Sequence, residues 1–194
     1  SLGTARTLLS GAKGGTTLVN LAWCGTPQRN ITEEFNNSFQ VVTAGAWASG
    51  PAINTGRRGF NQGGVGTATA GLIIGGSDAT NATNKTEEYD GSSWTETGNY
   101  PSNLQNSGSA GTQTAAYNFG GHDGSNLLSA GNTYNGSSWS GGTALPATRW
   151  QNVGGGTSTS AISVAGATSG SPVPSSDTTL EWDGSSWTEG GDLS

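Results

Sequence analysis

Four short alternating segments recur along the chain, and each closes on a glycine. "GTTLVNLAWCG" begins at Gly15, "GTATAGLIIGG" at Gly66, "GTQTAAYNFGG" at Gly111 and "GTSTSAISVAG" at Gly156. In each, Gly-Thr and a short polar stretch precede large residues two apart: Leu21/Trp23, Leu72/Ile74, Tyr117/Phe119 and Ile162/Val164. A period of two puts such residues on one face of a β-strand. No window keeps a 3.6-residue apolar period. The 34 glycines also work against helix, at roughly 1 kcal/mol per position relative to Ala. The pattern predicts an all-β chain.

A second marker runs in phase. "EEYDGSSWTE" (87–96), "NTYNGSSWSG" (132–141) and "LEWDGSSWTE" (180–189) share an aromatic, a Gly-Ser-Ser turn and a tryptophan. Trp94, Trp139 and Trp187 lie 45 and 48 residues apart, and Trp47 lies 47 before Trp94. Six residues after each stands Ile53, Tyr100, Leu145 or Leu193, with Leu2 as the matching residue at the start. Asp-Gly and Asn-Gly favour positive φ, so a two-residue turn or a close variant should bring each aromatic and its tryptophan onto paired strands.

Each repeat therefore divides into about four strands. The first follows a corner seen in "LGTAR" (2–6), "INTGR" (53–57) and "LPATR" (145–149); its small residues suit a crowded centre. The second is the alternating strand, the third carries Phe35, Tyr89, Tyr134 or Trp182, and the fourth opens on the tryptophan. Four-stranded units at this period are the signature of propeller blades rather than of a linear β-solenoid, whose coils are shorter. The expected fold is a β-propeller of four four-stranded blades in one domain, 1–194, with repeats of about 2–52, 53–99, 100–144 and 145–193. It is a closed four-blade ring or part of a larger propeller. The first repeat departs from the rest. Phe35 to Trp47 spans 12 residues where the others span 5, which predicts a longer hairpin tip or an inner place for Phe39.

The order of these markers resembles the kelch repeat: "LPATR", the strand end "NFGG" or "SVAGA", an aromatic, then Trp five later. The double glycine is intact at Gly75-Gly76 and Gly120-Gly121, and degraded at Cys24-Gly25 and Ala165-Gly166; Leu104 replaces the arginine in the third repeat. The wording of "TEEYDGSSWTE" and "GTQTAAYNFGG" is similar to Gly/Ser/Thr-rich kelch-like repeats in virion proteins of marine tailed bacteriophages, in fibres and surface decorations. The resemblance implies a non-catalytic role on a virion or extracellular surface.

Charge narrows the chemistry. Seven basic against 13 acidic groups leave a formal −6, without the basic cluster that nucleic acid demands. No run reaches the roughly 18–20 apolar residues of a membrane span, so we expect no membrane insertion. The chain holds no methionine, and we expect a processed product or a piece of a longer one. The single cysteine, Cys24, excludes an internal disulfide and reads as a small buried residue. The single histidine, His122, stands in "GGHDG" with no nucleophile–base set around it. The pairs Glu33-Glu34 and Glu87-Glu88 recur at the repeat period, which favours a structural role. No catalytic residue, cofactor or metal site is expected.

What varies between repeats is the segment after the second strand: 26–31, 77–85, 122–130 and 167–178. Loops on a rigid scaffold commonly carry recognition. Candidate contacts are Asp78, Thr80, Asn81, Asn84, His122, Asp123 and Asn126. The expected partners are protein neighbours in a virion or surface assembly, or a host surface glycan. The rival classes are a hydrolase or lyase using loop carboxylates, and an intracellular kelch-type adaptor.

Overall fold

Each alternating segment forms the second strand of a four-stranded antiparallel sheet. The computed structural model describes residues 10–11, 19–23, 32–36, 46–168 and 176–193. The first sheet holds β1 (Ser10–Gly11), β2 (Val19–Trp23), β3 (Thr32–Asn36) and β4 (Ala46–Ser49). The second holds β5 (Val65–Thr67), β6 (Ala70–Ile74), β7 (Thr86–Tyr89) and β8 (Trp94–Thr97). The third holds β9 (Gly108–Thr112), β10 (Ala115–Phe119), β11 (Gly131–Tyr134) and β12 (Trp139–Gly142). The fourth holds β13 (Val153–Gly156), β14 (Ala161–Val164), β15 (Thr179–Trp182) and β16 (Trp187–Glu189). Strand order follows chain order in every sheet, and no helix occurs among the described residues. The all-β class is as expected, and the sheets are propeller-like.

The register matches the repeat. Tyr89 stands opposite Trp94, Tyr134 opposite Trp139 and Trp182 opposite Trp187. Phe35 stands opposite Trp47 in the same way. The strand partner of Trp47 in the first repeat is thus Phe35, across the longer spacing. Leu2, Cys24 and residues 37–45 lie outside the described residues.

The GSSW turn is a variant of the expected two-residue turn. Asp90 N–H donates to Ser93 O at 3.2 Å, but the return N–H of Ser93 donates to Asp90 Oδ1 at 2.7 Å. Asn135 and Asp183 take the same bond from Ser138 and Ser186, at 2.9 and 2.8 Å. A side-chain acceptor at this place is what Asp or Asn supplies and most residues cannot. The Ser92 hydroxyl, then the amides of Ser93 and Ser92, hold the Asp90 carboxyl down at about 2. The Ser186 amide leads the same effect on Asp183, also to about 2.

The aromatic pairs of the third and fourth sheets each seal their sheet against the one before. Leu72, Ile74, Val65 and Tyr100 pack with Ala116 and Tyr134, and the half-buried Trp139 lies against them. Tyr117, Phe119 and Leu145 pack with Trp182 and Trp187. Tyr134 OH donates to Glu88 Oε1 at 2.8 Å, and Trp187 Nε1–H donates to Tyr117 OH at 3.1 Å. Buried aromatics find polar partners for their polar tips while the rings bury large apolar area.

The inner strands meet closely, as their small residues allow. A Cβ on Gly154 would lie 2.2 Å from Ser109 N and O. The second repeat has two more residues here: Ile53 to Gly66 spans 13, while Tyr100 to Gly111 and Leu145 to Gly156 span 11. The added length carries Gln62, whose carbonyl accepts from both Ser109 N (3.2 Å) and Gly154 N (3.1 Å). This backbone ties β9 and β13 together beside β5.

Two polar devices hold the sheets internally. Arg57 pairs with Glu87, both fully buried, and also donates to the carbonyls of Gly75 and Lys85. Glu87 takes the backbone and side-chain N–H of Asn54, each at 2.8 Å. Arg149 makes the equivalent bonds to Ala165 O and Thr178 O, both at 2.9 Å. The acidic pair at 87–88 is thus structural: one carboxylate sits on Arg57 and the other accepts from Tyr134. The second device changes hands between repeats. Asn118 Nδ2 donates to Ser107 Oγ at 2.8 Å, whereas Asn152 Nδ2 donates to Ser163 Oγ at 2.9 Å. Asn118 and Ser163 occupy the same place in their sheets, as do Ser107 and Asn152.

Candidate functional site at the loop end of the sheets

An antiparallel sheet puts alternate connections at opposite ends. The short turns at 68–69, 113–114 and 157–160 share one end with the GSSW turns. At the other end, the loops after β6, β10 and β14 meet the connections that enter β5, β9 and β13.

These loops are laced into a belt. Arg58 pairs with Ser77, Thr83 with Leu104, Gln105 with His122, and Trp150 with Ala167. Arg149 N–H donates to Leu128 O at 3.0 Å. Each loop is thus bonded on one side to the connection entering its own sheet and, for 77–85 and 122–130, on the other side to the connection entering the next. A Cβ on Gly124 would touch the Ala82 Cβ at 3.6 Å, so the tips of loops 77–85 and 122–130 are neighbours. These two tips share one surface. Loop 26–31 and residues 169–175 of the fourth loop lie outside the described residues.

The candidate residues divide by role. Asp78 Oδ1 accepts from the amides of Thr80 and Asn81 and from the Thr80 hydroxyl, at 2.8–2.9 Å. Asp123 Oδ1 accepts from the amides of Ser125 and Asn126 at 2.7 and 2.6 Å. The Asn81 amide foremost, and the Asn126 amide foremost, hold these carboxyls below the ordinary carboxylate range. Both aspartates shape their own loops. Asn84 accepts Tyr100 N–H through its carbonyl, which places it in the wall rather than at a tip. His122 Nδ1 accepts from Gly124 N–H at 2.9 Å, and its ring lies 5.5 Å from that of Trp150. Thr80, Asn81 and Asn126 are the exposed tip residues of the set.

Inside the belt lies a cavity of about 430 Å³, lined chiefly by Arg58, Phe60, Gln62, Gln105, Asn106 and Gln151. None of these was singled out from sequence. A signal existed: Arg58, Gln105 and Trp150 stand five residues after Ile53, Tyr100 and Leu145, and Gly59, Asn106 and Gln151 follow them. That last position has positive φ in every case: 61° at Gly59, 51° at Asn106 and 59° at Gln151. Asn106 N–H donates to Gly59 O at 2.6 Å and Gln151 N–H to Asn106 O at 2.9 Å, a bond from each sheet to the one before. Left-handed backbone in residues with a Cβ costs on the order of 1 kcal/mol each and gathers at functional places. Arg58 is exposed and has no ion pair among the described residues.

The lining offers hydrogen-bonding, cationic and apolar groups. Carboxamides both donate and accept, Arg58 adds a cation, and Phe60 gives an apolar wall. Among the described residues, no three or more His, Cys, Asp or Glu side chains gather as a metal site.

No protein-family model matches the sequence, and no curated protein matches it. Among solved structures, the chain is similar to one described as "Structure of YjhT", at a TM-score of 0.82 and 12% identity, over 100% of this chain and 67% of that one. At that identity the likeness concerns fold alone, and it supports a β-propeller-like arrangement of the sheets.

Proposed function

We propose that the protein is a non-catalytic β-propeller binding module, its sheets serving as consecutive blades of a kelch-like scaffold. The scaffold belongs to a virion or extracellular surface, as fibre or decoration, and its loop end contacts a protein neighbour or a host surface glycan. The observation that carries this reading is the cavity lined by Arg58, Gln62, Gln105, Asn106 and Gln151 beside loop tips whose carboxylates are already engaged. A polar, sparsely charged surface suits hydroxyl-rich or wet contacts. A hydrolase or lyase needs free acid–base groups near one another, and Asp78 and Asp123 are each committed to their own loop amides.

A glycan array, followed by titration of any binder, tests this. Arg58→Ala with Gln151→Ala should weaken binding at least tenfold with little change in melting temperature. Equal binding by that double variant places recognition elsewhere. Release of free sugar from the bound glycan refutes the non-catalytic assignment.

A further inference from the structure

The outer face of the fourth sheet repeats a surface that is buried twice elsewhere in the chain. In the second sheet, Leu72, Ile74 and Tyr100 are at most 2% exposed under the third sheet. In the third, Tyr117, Phe119 and Leu145 are at most 4% exposed under the fourth. The matching residues of the fourth are Ile162, Val164 and Leu193. The register fixes the match: Gly155 opposes Ile162 as Val65 opposes Leu72 and Ala110 opposes Tyr117. Yet Ile162 is 44% exposed, Leu193 is 52% exposed and Val164 is half-buried. A groove crosses this face between Gly155, Ile162, Glu181 and Thr188.

The polar element of the surface is repeated too. Glu181 opposes Ile162 as Glu88 opposes Leu72. Glu88 accepts the hydroxyl of Tyr134 from the next sheet, whereas Glu181 is exposed. The backbone leading off the sheet is also set. Leu193 N–H donates to Asp177 O at 2.9 Å, as Tyr100 donates to Asn84 O and Leu145 to Ser129 O, both at 2.8 Å. Tyr100 and Leu145 are the residues from which the next repeat starts. Isolated apolar side chains on a surface are ordinary, but three in the positions of a buried interface, with its acceptor and its exit bond, are not.

We propose that the outer face of the fourth sheet is a docking socket for a fifth repeat of the same plan, following Leu193 in the same polypeptide. Its third-strand aromatic and fourth-strand tryptophan cover Ile162, Val164 and Leu193, and a tyrosine in the aromatic place donates to Glu181. Repeat arrays gain stability through such nearest-neighbour faces, and an uncovered end face is normally made polar. This one is apolar.

The experiment compares the 194-residue chain with a chain in which a second copy of residues 101–144 follows Leu193. That segment brings Tyr134 and Trp139. The extended chain should unfold in one transition at a higher temperature, with the added segment resistant to protease. Ile162→Lys should abolish the gain in the extended chain and change the parent's melting temperature much less, because Ile162 is 44% exposed there and a lysine opposite Glu181 meets no like charge. Two results overturn the proposal. One is an added repeat that stays protease-sensitive with no rise in melting temperature. The other is concentration-dependent self-association of the parent that Ile162→Lys removes, which assigns the face to a second copy instead.

Discussion

Arg57 and Glu87 form an ion pair with both side chains fully buried, thirty residues apart in sequence. The third repeat holds Leu104 and Asn132 in these places, and the fourth holds Arg149 and Leu180. Arg149 thus keeps its carbonyl bonds without a carboxylate opposite, and burial lowers its pKa from the ordinary arginine value.

Breaking the pair from one side should be costly. Arg57→Leu leaves Glu87 buried against Asn54 alone, and stability to urea should fall by about 3–5 kcal/mol. Adding Glu87→Asn installs the third repeat's own combination and should recover more than half of that loss. Additive losses in the double variant would show that the two side chains do not act as a unit.

The tryptophans, equivalent by sequence, should separate by burial. Trp187 is 9% exposed and lies in the aromatic cluster with Tyr117 and Phe119. Trp187→Ala should cost about 3–5 kcal/mol. Trp139 is only half-buried and packs edge-on to Tyr100, with ring centroids 4.9 Å apart. Trp139→Ala should cost about 1–3 kcal/mol. The ranking is read from denaturant midpoints, and a larger loss at Trp139 would contradict it.

Acid should loosen the GSSW turns. The carboxyls of Asp90 and Asp183 sit at about 2 in the folded chain, against roughly 3.9 unfolded. Stability from a depressed carboxyl is fully present above the unfolded value and is lost as pH falls through the folded one. The melting temperature should therefore decline between about pH 4 and pH 2. Asp90→Asn with Asp183→Asn, which copies Asn135, should flatten that decline while keeping the turn. An unchanged acid slope in the double variant would place the effect in other groups.

Glycines should differ sharply in their tolerance of a methyl group. Gly154→Ala drives a Cβ against Ser109 backbone at 2.2 Å, and Gly141→Ala meets nothing within 4 Å. Thermal melts should show a loss of about 1–3 kcal/mol or more for the first and near-neutrality for the second. Similar values for both would mean that the inner strands can part.

Local signals carried most of the fold. The two-residue period, the GSSW turns and the phased tryptophans specify strands and register, because the contacts they set lie within one hairpin. Features made between repeats were not legible. The cavity lined by Arg58, Gln105, Asn106 and Gln151 exists only once three inner strands are side by side. Asp78 and Asp123 looked free for a ligand because sequence does not show which amides a loop turns inward. Leu193 matched Tyr100 and Leu145 in spacing and in its backbone bond, but its side chain is exposed. Burial depends on what stands next to a sheet, and spacing is silent on that.

The exchanged pairs Ser107–Asn118 and Asn152–Ser163 restrict how such a chain can be shuffled. Both members of each pair fall inside one repeat, 100–144 or 145–193, so duplication or loss of a whole repeat carries the pair intact. A crossover within the first hairpin would instead join Ser107 to Ser163, or Asn152 to Asn118. The first hybrid leaves a gap where an amide had been, and the second crowds two amides into space shaped for one. A join at a repeat boundary should therefore cost less stability than a join between the first and second strands.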